Sequence, residues 1–202
     1  MKRFKGIKGT IILGILIALI LGYYYHLSNR EIVVDEAAES ITPAKEIMLY
    51  DYSINYPPTP KEVVKAYLYI TKILHNDSLN DEEIEGVASK LAELFDDELV
   101  ANKSREDYYM DMKSEIISFK NSKYSIVNYY ASQSTEVVYF SDDGYDFAKL
   151  YGTYNIHTTE GTKVLVDVFI LRKDPNGRWK IYGFKPYVGE DNDQVAKTGI
   201  NP

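Results

Sequence analysis

The chain has 202 residues, with 23 Lys and Arg against 30 Asp and Glu, and no cysteine. That length suits one domain with an anchor or a tail, and the missing cysteines exclude disulfide staples, thiolate metal sites and cysteine nucleophiles. A formal charge of -7 argues against a phosphate-binding surface, and so against nucleic acid as a partner.

The charge is divided along the chain. Lys2, Arg3, Lys5, Lys8 and Arg30 are the only charged residues up to position 30; taking these five from 23 leaves 18 bases against all 30 acids, a formal −12 on the remainder. No charge occurs from Gly9 to Asn29, and the centre, Ile11 to Leu21, is almost wholly Ile and Leu. At about 1.5 Å per residue this stretch reaches roughly 31 Å as a helix, the thickness of a hydrocarbon core. Residues 9–29 therefore read as a transmembrane helix, with residues 1–8 as a cytoplasmic basic tail and Tyr23, Tyr24, Tyr25 and His26 at the far headgroup layer. The expected topology is single-pass in the cell membrane, amino terminus cytoplasmic and C-terminal domain extracytoplasmic. A cleaved signal peptide shares the basic start and apolar middle, but Gly22-Tyr-Tyr-Tyr-His-Leu27 lacks the spaced small residues of a peptidase site. Gly6, Thr10, Gly14, Ala18 and Gly22 line one face and would let two such helices approach closely.

Residues 30–57 read as an extracytoplasmic linker. Thr42-Pro43 is expected to break any helix, and Tyr56-Pro57-Pro58-Thr59-Pro60 to be extended. Ile47, Met48, Leu49, Tyr50 and Tyr52 are too apolar for a plain spacer and predict a short element docked on the domain. The domain, residues 58–188, opens on Thr59-Pro60-Lys61-Glu62, which supplies a capping hydroxyl, Pro at the first helical position and Glu at the third. Val63, Tyr67, Ile70 and Leu74 predict a helix over 60–75. A second is expected over 81–95, with Gly86 marking close packing, and a third, capped by Ser104, to about 121 on Tyr108, Met112, Ile116 and Phe119.

After Lys123 the period becomes two and β-branched and aromatic residues take over. Strands are expected at 124–131 and 135–141, paired around Ser132-Gln133-Ser134, then at 145–158, at 162–173 after a Glu160-Gly161 turn, and from 178 to 188 after Asp174-Pro175-Asn176-Gly177. Strands of this length must twist, with Gly152 and Gly183 as bend or bulge points. The fold class is α+β, three helices packed on a strongly curved antiparallel sheet, with residues 189–202 as a flexible C-terminal tail.

This order of elements, with Leu94-Phe-Asp-Asp-Glu-Leu-Val100 after the second helix and the closing strand Gly177-Arg-Trp-Lys-Ile-Tyr-Gly-Phe184, resembles the NTF2-like (cystatin-superfamily cone) fold over residues 58 to 188. The layout from the basic start through Tyr-Pro-Pro-Thr-Pro-Lys-Glu-Val-Val at 56–64 resembles a family of membrane-anchored proteins from Gram-positive bacteria, a likeness that implies no activity. Cones of this kind serve as isomerase or dehydratase pockets, as ligand-binding modules and as scaffolds, so the fold alone does not choose.

The cone enzymes imply Asp or His bases with Tyr donors in the cavity. Tyr154 and Asp167 are the cavity candidates: a two-residue Glu160-Gly161 loop would pair position 154 with 167 on one face, put His157 opposite Val164 on the other, and bring Lys185 near Asp167 if the 174–177 turn carries a bulge. An outward-pointing Asp167 would remove the idea. No residue is assigned a catalytic role, and no cofactor is expected. No metal site is expected either: His26, His75 and His157 are isolated, while Asp96-Asp97-Glu98 and the Asp142 to Asp146 segment lack calcium-loop alternation and read as a solvated helix end and turn. The 19 tyrosines suit strands with one wet face as well as binding surfaces. The reading is a membrane-anchored extracytoplasmic binding or scaffold module, non-catalytic, with a protein partner or a homodimer; the alternative is a small-molecule-binding or isomerase/dehydratase-like domain. The −12 body should favour basic partners over anionic lipid.

Overall fold

The structure, a computed structural model, describes residues 41–187. The basic tail at 1–8, the membrane helix at 9–29, the start of the linker and the tail at 189–202 lie outside those residues. Among the described residues no helix is long and apolar enough to cross a membrane.

Among the described residues, five helices precede the strands. In α1 (Pro43–Leu49) the Thr42 side chain accepts from the Lys45 amide and Pro43 takes the first position. Thr42-Pro43 therefore starts a helix, because a proline lacking an N–H is harmless where the amide would be unpaired anyway. The expected docked element is this helix: Ala44 and Ile47 are buried, and Met48 lies so close to Gly86 that a Cβ there would sit 2.6 Å from its terminal carbon. Helix α2 (Pro60–Asn76) is capped by Thr59 and buries the predicted stripe, Val63, Tyr67, Ile70 and Leu74 among others. Helix α3 (Asp81–Ala92) carries an Asn80–Glu83 capping box and ends three residues earlier than expected, since residues 94–96 leave it to pair with the sheet. The short α4 (Asp97–Ala101) follows. Helix α5 (Arg105–Asn121) is capped by Ser104 and fully buries only Ile116, with Tyr108, Met112 and Phe119 half-buried beside it.

The strands are β1 (Ser125–Ala131), β2 (Val138–Asp142), β3 (Tyr145–Thr158), β4 (Gly161–Lys173) and β5 (Trp179–Pro186). They form one antiparallel sheet in the order β1-β3-β4-β5, with β2 also on β3. The expected β1–β2 pair does not form. Strand β3, at 14 residues, is long enough to take both along one border, β1 on its second half and β2 on its first. Ser132 marks the changeover, its amide donating to Tyr151 O at 2.8 Å and its hydroxyl accepting from Tyr151 N at 3.1 Å. Register slips between Ile126 and Asn128 on β1 and between Ile170 and Leu171 on β4. The second places Tyr182 as the extra residue next to Gly183, where a bulge was expected. Gly152 is no bulge: it pairs regularly with Ala131 and Asp167.

Residues alternate across the sheet. Ala148, Leu150, Gly152 and Tyr154 on β3 with Phe169 and Leu171 on β4 face the helices and join Leu68, Leu74, Val87, Leu91, Leu94 and Ile181 in the core. Both outer strands receive side-chain or backbone cover. Asn76, at the end of α2, donates to Ile126 O and accepts from Ile126 N, both at 2.9 Å, and Lys72 donates to Val127 O. On the far side Asp96 N donates to Ile181 O and Ile181 N to Leu94 O.

Candidate functional site

The β3–β4 hairpin decides where the candidates fall. Thr158 pairs with Gly161, so the loop is Thr159-Glu160. The Thr158 hydroxyl holds it, donating to Gly161 O at 2.9 Å and accepting from Glu160 N at 3.2 Å. The expected register is thereby corrected by two residues: Tyr154 pairs with Leu165, and Asp167 with Gly152. A slip of two preserves the face, so Tyr154 and Asp167 still lie on the same, concave side, diagonal to each other. His157 pairs with Thr162 and Val164 with Asn155. Lys185 pairs with Val168, which puts it on the convex side, away from Asp167; the bulge that was to bring them together lies at Tyr182 and has the opposite effect.

Asp167 points inward. It is 8% exposed, and among the described residues its carboxylate has no hydrogen-bond or ion-pair partner. Burial raises its carboxyl above the ordinary value, with the nearby Glu115 carboxylate adding to the effect. Tyr154, 4% exposed, is raised far more strongly by burial. The Thr71 hydroxyl lies beside that phenol and favours its ionised form, yet neither oxygen reaches hydrogen-bonding geometry with any described group. Two buried hydroxyls and one buried carboxylate without partners in one quarter of the concave face are unusual, because such groups are nearly always paired.

Three further side chains bound this quarter. Tyr67 on α2 and Tyr108 on α5 are both raised by burial, and Tyr67 also feels Tyr154, Tyr108, Asp167 and Glu115. Glu115 is held below its usual range first by its hydrogen bond with His75, whose Nε2 lies 3.5 Å away. Beside Glu115 an open groove of about 450 Å³ runs along α5, lined by Asp111, Ser114, Ser118, Phe119, Ser122 and Tyr124. Deeper in, the concave face is filled: the Tyr67 ring lies 5.2 Å from both Phe169 and Phe184, and Phe169 stacks on Phe184 at 5.6 Å. Thr71, Glu115, Tyr67 and Tyr108 carry no sequence signal for this role, because it arises only when α2 and α5 cross the sheet.

In the acidic segment after α3, Asp97 and Glu98 are exposed as expected of a solvated helix end, but Asp96 is not. Asp96 is 4% exposed and takes two bonds from Arg172, at 3.0 and 2.6 Å, while Glu98 takes a third at 2.7 Å. Tyr145 and Tyr182 flank the guanidinium, each 4.8 Å away. Arg172 thus ties Asp96 and Glu98 together as a structural clamp, while Asp97 stays exposed. The Asp142 to Asp146 turn is exposed as expected. Among the described residues no three His, Asp or Glu side chains are grouped to hold a metal ion.

A consequence for stability follows from Asp167. Because its carboxyl binds a proton more tightly in the folded than in the unfolded chain, the ionised form opposes folding. The penalty is absent below the ordinary value of 3.8 and grows as pH rises through the raised one. Asp167→Asn is therefore expected to raise the melting temperature at pH 7 and to leave it unchanged near pH 3. A lower melting temperature at pH 7 would mean that Asp167 has a structural partner.

No curated protein matches the sequence. One family model does, under the description Domain of unknown function (DUF6715), and it covers residues 1–184, from the basic start to Phe184 in β5. That match takes in most of the chain, so the protein belongs to the DUF6715 family.

Proposed function

We propose that the protein is a single-pass, extracytoplasmic scaffold whose NTF2-like domain binds without catalysing, and that its partner at the convex sheet face is a second copy of itself. The observation that carries this reading is the contrast between the two sides of the sheet. The depth of the concave side is filled by the buried Tyr67 and Phe169 rings, whereas the convex side leaves Val138, Phe140, Tyr145 and Tyr182 between 37% and 58% exposed. An apolar sheet face of this kind is a typical interaction surface.

Charge and register support self-pairing. Asp142 pairs with Tyr145, Phe140 with Phe147 and Val138 with Lys149, so the stacked Phe140–Phe147 rings, 5.3 Å apart, lie midway between an acidic and a basic position. A two-fold axis across the strands at that stack sets Asp142 of one copy towards Lys149 of the other, the self-complementarity that a symmetric dimer requires. Aligned sheet packing tolerates such an approach. A tether by residues 9–29 would hold both copies at one membrane surface and raise their effective concentration.

The chain has no cysteine, so a single introduced thiol reports cleanly. Phe140→Cys, on the axis row of the convex face, is expected to give disulfide-linked dimers of the full chain in membranes, because only a position on the axis lies opposite itself, and Asn102→Cys, on the α4 side, is not. Adding Phe147→Glu to Phe140→Cys should abolish the cross-link. Equal cross-linking at positions 140 and 102, or persistence with Phe147→Glu, would overturn the self-pairing. Labelling of Asn102→Cys in intact cells by an impermeant maleimide tests the extracytoplasmic placement separately.

A further inference from the structure

We propose that the open end of the concave face, around Asp167, is a binding site for a small organic cation, a primary ammonium carried on an apolar or aromatic body. This goes beyond the scaffold reading and concerns the opposite side of the sheet, so either can fail without the other.

Four observations lead there. Asp167 is buried to 8% exposure with no counter-ion or donor among the described residues, and a buried carboxylate left this way is costly unless something pairs with it. The positive groups nearest in sequence or register are committed elsewhere: Lys185 lies on the convex side opposite Val168, Lys163 pairs with Glu160, and Arg172 is held by Asp96 and Glu98. Tyr154 and Thr71 hold hydroxyl oxygens with no hydrogen-bond partner, both shielded from solvent, and the Tyr154 phenol feels the Asp167 charge, so the polar groups on this side of the sheet are left unsatisfied by the described residues.

The fourth is the apolar surround. Leu165 and Phe184 belong to the concave face by register, opposite Tyr154 and Phe169 respectively, yet they are 41% and 42% exposed. The cone is thus open at this end, and its rim is apolar. The exposed Phe184 ring is an aromatic surface, and aromatic faces attract cations and repel anions. With Glu115 also contributing negative charge near Asp167, an anionic ligand is disfavoured on electrostatic grounds, and a neutral one would leave the carboxylate charge uncompensated. Burial and the neighbouring Glu115 raise the Asp167 carboxyl in the free protein; a bound ammonium would lower it again.

The test uses the full chain in lipid nanodiscs at pH 7 and ligand-observed NMR, with empty nanodiscs as the reference. Benzylamine is the probe, and benzyl alcohol and benzoate are its neutral and anionic counterparts. Benzylamine is expected to bind at least about tenfold more tightly than either, a difference of about 1.4 kcal/mol. Asp167→Asn should abolish that preference while the chain stays folded, and Lys185→Ala, on the other face, should leave it intact. A third arm separates the sources of the ammonium: tighter binding of Nα-acetyl-lysine amide than of benzylamine would support the same carboxylate and assign a protein lysine as the natural cation. No binding of either amine, equal binding of benzyl alcohol, or an unchanged preference in Asp167→Asn would overturn the proposal.

Discussion

Asp96→Ala is expected to destabilise the domain by about 3–5 kcal/mol, the range for removing one partner of a buried ion pair. Two losses combine. Arg172, whose side chain is 13% exposed, would lose both bonds to Asp96 and keep only the bond to the exposed Glu98, and α4 would lose the side chain that caps the Glu98 amide at 3.0 Å. Unfolding of the full chain in detergent, followed through the single tryptophan, Trp179, measures the change. The cause is separable from the cap. Arg172→Met in the Asp96→Ala background removes the stranded guanidinium and should recover most of the loss, leaving about 1 kcal/mol for the cap. If the double variant is no more stable than Asp96→Ala, the ion pair is not the source.

Phe169→Ala is the second large effect, about 3–5 kcal/mol for an aromatic ring deleted from a packed core. Phe169 is fully buried and touches Tyr67 and Phe184. It also explains Gly152. A Cβ at that position would lie 2.7 Å from the Phe169 ring and 3.1 Å from Leu68, so Gly152→Ala alone should cost about 1–3 kcal/mol through overpacking. Combined, the two should cost less than their sum, because the methyl group enters space that the ring has left. Simple additivity would show that the two positions do not compete for the same volume.

The elements were largely legible from the residues because each was signalled locally. Thr59-Pro60 and Ser104 are capping signals that need no tertiary context, and the period-two pattern after Lys123 marked the strands. What failed depended on contacts between distant segments. The β1–β2 pairing was inferred from adjacency, whereas the length of β3 allowed both to line up on it. The Glu160-Gly161 turn looked right by composition, but the Thr158 hydroxyl moved the loop back to Thr159-Glu160 and the register by two. Tyr154 and Asp167 survived as a pair because that shift is even; a shift of one would have sent Asp167 to the convex face. Asp96 was read as a solvated helix end since nothing near it in sequence announces Arg172, 76 positions away.

The cover along the two sheet borders has a consequence for a protein concentrated at a surface. An open strand is a template on which a neighbouring chain can add its own backbone. Here Leu94 to Asp96 occupies the β5 side near Ile181, and Asn76 and Lys72 satisfy the β1 backbone at Ile126 and Val127. The free border left by these contacts includes β2, five residues long, and it ends in Asp142 and Asp143, whose charges would repel an identical strand laid alongside. Edge-to-edge addition of one copy to another is thereby disfavoured, which leaves the faces of the sheet as the surfaces open to a partner.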